Sequence, residues 1–209
     1  MAKLRVAVMA SGDGTNLQKL LDRFPDSEDS TEAATVVLVV ANRPCGALKR
    51  AAQAGVRGEL VDPGSFPSQE KFGERLIGLY EAEGIGLVVL AGYLKMIPSN
   101  LVRAFRNRMI NIHPALLPLF GGDGMYGRRV HEAVLKAGVK LSGPSVHFVD
   151  EEYDRGPIIA QRAVPVLFDD TPESLAARVL EEEHRILPDV VDLIARGRVT
   201  VADGKAQVR

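Results

Sequence analysis

The sequence predicts an α/β protein. The expected sheet is twisted and mostly parallel, with helices on both faces and an antiparallel or mixed addition towards the C-terminus. Three observations carry this expectation. Short apolar runs alternate with longer amphipathic ones over the first two thirds of the chain, and such alternation implies parallel strands joined by right-handed crossovers. The run 35–41 is Val-rich and apolar nearly throughout, the pattern of a strand covered on both faces. The runs 142–149 and 158–166 are joined by the acidic turn 150–156, which gives the later, mixed part of the sheet. The expected arrangement is Rossmann-like, and nothing in the composition marks a domain boundary, an internal repeat or a low-complexity segment.

Each element has its own signal. Residues 4–9 form an apolar run that reads as a buried strand. Residues 15–24 read as a helix with Leu17, Leu20 and Leu21 on one face. The acidic stretch 25–34 reads as a surface loop before the strand at 35–41. A helix over 46–54 ends at Gly55, a residue suited to the left-handed C-cap, and a short strand at 58–61 follows. Residues 69–83 place Phe72, Leu76 and Leu79 on one helical face, ahead of a strand at 87–91. Ser99 reads as the N-cap of a short helix running to 105. A strand at 109–113 leads into a Gly- and Pro-rich loop at 114–127, and a helix covers 130–137. Thr171-Pro172 begins the last helix, with Pro at its first position, and that helix runs towards 195 with a bend expected at Pro188. Residues 199–201 read as an added edge strand.

Composition excludes several classes of function. The 209 residues carry 26 basic and 27 acidic side chains, so the net charge of −1 gives no electrostatic case for nucleic acid or an anionic membrane. There is no Trp, and aromatics are only 5%, which argues against a base-stacking platform. Cys45 is the only cysteine, so no disulfide framework exists within the chain. No apolar run approaches the ~20 residues of a membrane span. The apolar run after Lys3 and Arg5 is shorter than the core of a secretory signal. The expectation is a cytoplasmic protein with a reduced thiol. A homodimer is left open.

The first strand is followed by Ser11-Gly12-Asp13-Gly14-Thr15-Asn16 and then a helix. Two glycines allow a tight turn and close approach of a ligand. The amides of Gly14, Thr15 and Asn16 would sit at a helix N-terminus, where partial positive charge favours phosphate. Read alone, the loop is equally a simple turn with an N-cap. The dinucleotide fingerprint wants a third glycine where Leu17 stands and an acid where Asn42-Arg43 stands. Arg43 could still meet an NADP 2′-phosphate, which keeps an NADP-dependent oxidoreductase in view.

Asn111-Ile112-His113-Pro114 lies at the carboxyl end of a strand, where ligands of such sheets bind. Period-two alternation puts Asn111 and His113 on one face, and Pro114 stops the strand. Histidine moves protons near neutral pH, and an Asn amide can stabilise a developing oxyanion. The loop beyond holds Phe120-Gly121-Gly122-Asp123-Gly124-Met125-Tyr126-Gly127, either a tolerated surface segment or a lid that orders over substrate. Asp154 falls in the acidic turn, most simply a solvated tip, but a carboxylate within about 4–6 Å of His113 would favour the protonated ring. His147 reads as a packed, hydrogen-bonded histidine, and His131 and His184 lie on expected helices. No metal-ligand spacing is visible among the histidines and the cysteine.

Taken in order, these motifs resemble a known family. They are Ser11 to Gln18, Leu90-Ala91-Gly92-Tyr93-Leu94-Lys95-Met96-Ile97, and Asn111-Ile112-His113-Pro114-Ala115-Leu116-Leu117-Pro118. Ser145-Val146-His147-Phe148-Val149, Asp154-Arg155-Gly156-Pro157-Ile158-Ile159 and Glu183-His184 complete the set. Together they resemble the phosphoribosylglycinamide formyltransferases, folate-dependent enzymes of purine synthesis, over nearly the whole chain. The resemblance implies formyl transfer from 10-formyltetrahydrofolate, as co-substrate, to the amine of glycinamide ribonucleotide, without a metal. It implies one domain over 1–209, with the ribonucleotide phosphate held in the N-terminal half and the catalytic and folate residues in the C-terminal half. By the same resemblance Gly14, Thr15 and Asn16 bind that phosphate, and Glu183 contacts the ribonucleotide. Leu94, Lys95, Met96 and Ile97 line the pterin pocket, the loop from Asp150 to Asp154 lies on the folate side, and Asn111, His113 and Asp154 are the catalytic set. Where many members carry a basic residue towards the folate, this chain has Gln69. The lid 121–127 resembles only a subset of the family.

The chemistry then expected is attack by a neutral amine on the formyl carbon. Asn111 and a protonated His113 would stabilise the tetrahedral oxyanion, and Asp154 would keep His113 charged. Two relatives share this centre: formyltetrahydrofolate hydrolase, with an extra N-terminal domain, and methionyl-tRNA formyltransferase, with an extra C-terminal one. A length of 209 residues leaves little room for either addition. A non-catalytic nucleotide-binding module is the remaining reading.

Overall fold

A computed structural model describes residues 2–26 and 30–209. Positions 27–29 of the expected acidic loop, and Met1, lie outside the described residues. In chain order the elements are β1 (Leu4–Ala10), α1 (Thr15–Arg23), β2 (Ala34–Ala41), α2 (Gly46–Gln53), β3 (Arg57–Leu60), α3 (Gln69–Ala82), β4 (Leu87–Leu90), α4 (Ser99–Ala104) and β5 (Met109–His113). They continue with α5 (Arg128–Ala137), β6 (Leu141–Ser142), β7 (Ser145–Phe148), β8 (Ile158–Gln161), β9 (Val164–Pro165), α6 (Pro172–Ala195), β10 (Val199–Ala202) and β11 (Lys205–Val208).

Seven strands form the main sheet in the order β3-β2-β1-β4-β5-β7-β8. The first five run parallel, and β7 and β8 are antiparallel additions. This is the mostly parallel, two-sided α/β sheet expected from the alternation of runs. Both faces are covered. On one, Val6, Val8 and Ala10 of β1 pack with Leu17 and Leu20 of α1, Ala47 of α2 and Leu187 of α6. On the other, Ala7 and Met9 pack with Phe72, Leu76 and Tyr80 of α3 and Leu101 of α4. Every residue of β2 is buried, which accounts for its unbroken apolar run.

Some elements differ from expectation, each for a local reason. The run 142–149 is broken by Gly143-Pro144 into β6 and β7, because Pro144 has no N–H for the ladder. β6 pairs instead with β9 in a separate two-stranded sheet, so the run 158–166 is split as well. The strand expected at 199–201, β10, is not an edge of the main sheet but pairs with β11, a short and mostly exposed strand of alternating polar and apolar residues. Ser99 is the first residue of α4 and Pro98 takes the cap position, so the Ser99 hydroxyl does not cap this helix. α6 runs through Pro188 as one helix and starts on a Thr171–Ser174 capping box.

Candidate active site

The carboxyl ends of β1, β4 and β5 open on one cavity of about 550 Å³. β5 delivers Asn111 and His113 to the same face, and β7 sets His147 directly opposite Asn111 in antiparallel register. Asp154 arrives from the turn between β7 and β8. Gly156 closes that turn against the Phe148 carbonyl, where an added Cβ would lie 1.8 Å from the oxygen. Asp154 itself takes a left-handed φ of 55°, which turns its side chain back towards β5.

Asn111, His147 and Asp154 form one hydrogen-bonded group, and His113 lies against it. Asn111 Nδ2 lies 3.1 Å from His147 Nε2 and donates to Asp154 Oδ1 at 3.3 Å. His147 Nδ1 is 2.8 Å from the Phe148 carbonyl, an acceptor, so that nitrogen carries a proton. Flipping the Asn111 amide would set its oxygen against the Asp154 carboxylate, so Asp154 fixes its orientation. The other Asp154 oxygen, Oδ2, accepts from the Gly122 amide at 2.9 Å and lies 3.5 Å from His113 Nδ1. His113 Nε2 donates to the Phe120 carbonyl at 2.8 Å. Phe120 and Gly122 both belong to the glycine-rich loop, so that loop is tied to the His113 and Asp154 side chains at two points.

Burial sets the charges here. It pushes the buried His113 below the ordinary imidazole range, although the Asp154 carboxylate and the Phe120 carbonyl both pull the other way. Asp154 acts on His113 in the expected direction, but loss of water outweighs one carboxylate at this distance, so without substrate the ring is neutral at any pH above that lowered value. Burial would raise the Asp154 carboxyl, but the His147 ring edge, His113 and the Gly122 amide together outweigh it and hold it below its ordinary value.

Two walls rise from this floor. On one, Leu94, Lys95, Met96 and Ile97 all line the cavity, and Leu94 and Met96 are left 51% and 53% exposed. Open apolar side chains on a concave wall suit a flat apolar ligand. Asp150 lines the cavity with Asp154. The Ser11 hydroxyl steadies this wall by accepting from the Leu94 amide at 2.9 Å while donating to Asn42. On the other wall, Asn16 donates to Glu183 at 2.6 Å, joining the first turn of α1 to α6. Burial pushes the Glu183 carboxyl up to about 7, against the pull of the Asn16 amide.

The glycine loop runs beside the Asn16 wall. Gly14 has a left-handed φ of 73°, and an added Cβ would lie 2.9 Å from Ala47 Cα, so only glycine lets α1 and α2 start this close together. Asn16 lines the cavity, whereas Gly14 and Thr15 lie outside its lining, at the helix N-terminus next to it.

Two sequence expectations end elsewhere. Gln69 is not brought to the cavity: Ser68 caps α3, and Gln69 sits on the exposed first turn of that helix. Arg43 holds the glycine loop by donating from Nε to the Ser11 carbonyl at 2.8 Å, so the 2′-phosphate reading loses its residue. His147, read as a packed histidine, and His131, expected only to lie on a helix, both line the cavity. Only the strand register, unreadable from spacing, could have placed His147. Among the described residues no group of three or more His, Cys, Asp or Glu is arranged to hold a metal ion, and no helix is long and apolar enough to cross a membrane.

A parallel sheet ending in an Asn, His and Asp group beside an apolar wall defines a class: residues 4–191 match the formyl transferase family, and the chain belongs to it. Within that family it is similar to the phosphoribosylglycinamide formyltransferases. It is 46% identical over 197 residues to the chloroplastic enzyme of Arabidopsis thaliana, covering 93% of this chain and 66% of that protein. To the enzyme of Bacillus subtilis it is 34% identical over 187 residues, covering 90% and 92%. The crystal structure of glycinamide ribonucleotide transformylase 1 from Symbiobacterium toebii superposes with a TM-score of 0.89 at 40% identity, covering 99% of this chain and 94% of that one. The chain spans under two thirds of the two plant relatives, 66% and 62%, and 19% of the trifunctional purine biosynthetic protein of Gallus gallus.

Proposed function

We propose that this protein transfers the formyl group of 10-formyltetrahydrofolate to the amine of glycinamide ribonucleotide, a step of purine biosynthesis. The observation that carries the reading is the convergence of Asn111, His113 and Asp154 on the floor between an open apolar wall and the Asn16–Glu183 wall. The names of its relatives point the same way. In this reading the single domain divides its work. The folate takes the Leu94–Ile97 wall and the loop from Asp150 to Asp154. The ribonucleotide takes the other wall, with its phosphate on the amides of Gly14, Thr15 and Asn16 and its sugar side towards Glu183. The lone cysteine fits a reducing compartment, and we place the reaction in the cytoplasm.

The residues then have distinct tasks. The two walls hold the amine and the formyl carbon together, which removes most of the entropic cost of their meeting. Asn111 donates to the oxyanion that forms as the amine adds. His113 carries its resting proton on Nε2, so Nδ1 is the nitrogen free to take one from the amine and return it to the departing folate nitrogen. Asp154, beside Nδ1, stabilises the imidazolium formed in between. The test is a spectrophotometric assay for deformylated folate, with and without glycinamide ribonucleotide. Product that depends on the ribonucleotide supports the transferase; equal product without it makes the protein a hydrolase, and no product with either rejects the reading.

A further inference from the structure

Three successive carbonyls of the first glycine loop are held by one segment of the chain. Arg43 Nε donates to the Ser11 carbonyl at 2.8 Å, the Ala47 amide to the Gly12 carbonyl at 3.1 Å, and Arg50 Nε to the Asp13 carbonyl at 2.7 Å. The donors come from the link after β2 and from α2. The peptide bonds of the loop are trans, so each N–H points opposite to the carbonyl of its own peptide unit. The amides of Gly12, Asp13 and Gly14 are therefore each turned away from the donor that holds that carbonyl. Among the described residues they meet no acceptor. Gly46 keeps the two segments in contact, since an added Cβ there would lie 2.9 Å from the Asp13 Cα and carbonyl oxygen. Arg50 is braced in turn, its Nη1 donating to Gln18 of α1 at 2.9 Å. Asn16 lines the cavity, but no residue of 43–50 does, so the two arginines reach a ligand there only through the loop.

We infer that Arg43 and Arg50 are positioning residues for the phosphate of the acceptor, fixing the loop's amides in the direction an anion needs before it arrives. This role rests on the proposed function and extends it from the amides to the side chains that set them. Without these donors the Ser11 and Asp13 carbonyls are free to rotate, and a flipped unit would offer the phosphate an oxygen where an N–H now stands. The two guanidinium charges also exceed the single carboxylate of the loop, Asp13, so the loop with its braces carries net positive charge.

The experiment compares the parent with the Arg43→Met/Arg50→Met and Arg43→Lys/Arg50→Lys double variants in the formyl-transfer assay. The acceptors are glycinamide ribonucleotide and the same compound without its phosphate, and Tm is measured alongside. Met removes the charge and the donor; Lys keeps the charge and one donor. The expected result for the Met variant is a ribonucleotide KM raised about tenfold, with kcat and the folate KM unchanged. The preference for the phosphorylated acceptor, as a ratio of kcat/KM values, should fall by the same factor, and Lys should recover part of it. Where turnover of the dephosphorylated acceptor is too slow to measure, inhibition by ribose 5-phosphate reads the same contact, with KI rising about tenfold. A lower Tm with the parent's preference overturns the role. So does a loss shared equally by both acceptors, which makes the arginines supports of the fold. Should the Met variant not fold, the single Arg43→Met and Arg50→Met chains take its place, and the same outcomes apply. A parent without ribonucleotide-dependent turnover rejects the proposed function, and this role with it; a parent that turns over while the variants match it rejects this role alone.

Discussion

Asn111 and His147 face each other across β5 and β7, with Asn111 Nδ2 3.1 Å from His147 Nε2. The pairing gives the amide that the proposed reaction needs a second anchor beside Asp154, which sets its direction. Asn111→Ala should lower kcat by about 10²–10³, the usual effect of losing one oxyanion donor. His147→Leu should fall short of that, lowering kcat by about tenfold, because the amide survives but loses its second anchor. Both variants should keep ribonucleotide affinity. Steady-state kinetics of the two proteins decide the matter; a His147→Leu enzyme with full turnover would remove the ring from the mechanism.

The resting neutrality of His113 has a pH signature. In the proposed reaction the neutral ring takes the amine proton, so kcat/KM should fall as pH drops, with its midpoint below the ordinary value of 6.5. Asp154 pulls the His113 value up, so Asp154→Asn should move the acid limb to still lower pH while reducing turnover. For stability the sign is the same: the unfolded chain takes this proton first, so stability falls as pH drops below about 6.5. A pH–rate profile that rises on acidification through pH 6 would mean that the imidazolium is the working form.

Glu183 acts in the opposite direction. Its folded value of about 7 stands above the ordinary 4.5, so the folded state binds the extra proton between them. Stability should therefore decline as pH rises from about 4.5 to 7, by on the order of 3 kcal/mol at most. Glu183→Gln should flatten that slope and weaken ribonucleotide binding. Urea melts across this range for both proteins make the comparison. A slope shared by the two would assign the effect to other groups.

Gly156 allows a backbone approach that no side chain could share. With an added Cβ 1.8 Å from the Phe148 carbonyl, Gly156→Ala must open the turn that carries Asp154. The expected cost is roughly 2–4 kcal/mol of stability, together with a loss of turnover larger than the loss of folate affinity. A melting curve and kinetics on one preparation suffice. Unchanged turnover would show that Asp154 reaches His113 without this closure.

Much of this was legible in the sequence because it is local. The strand carrying Asn111 and His113, the loop of Gly12 and Gly14, and the Thr171-Pro172 start each depend on spacing or on one residue's backbone preference. What was not legible depends on partners far apart in the chain. His147 reads as packed until β7 is laid antiparallel to β5. The charge of His113 reads as fixed by Asp154 until the depth of burial is known. β11 is too short to announce itself, and Gln69 needed the Ser68 cap to show which way its turn faces. The residues proposed as catalytic could be named in advance and lie together, but the direction in which burial moves His113 could not be read.

The hold of the glycine-rich loop on the cavity floor bears on any adduct formed there. With the Phe120 carbonyl holding His113, and Asn111 shared between His147 and Asp154, the donors of this group are engaged before any ligand arrives. In the proposed reaction the Asn111 amide has to release one of those partners to hold the oxyanion, so each bond made to the adduct replaces one already present.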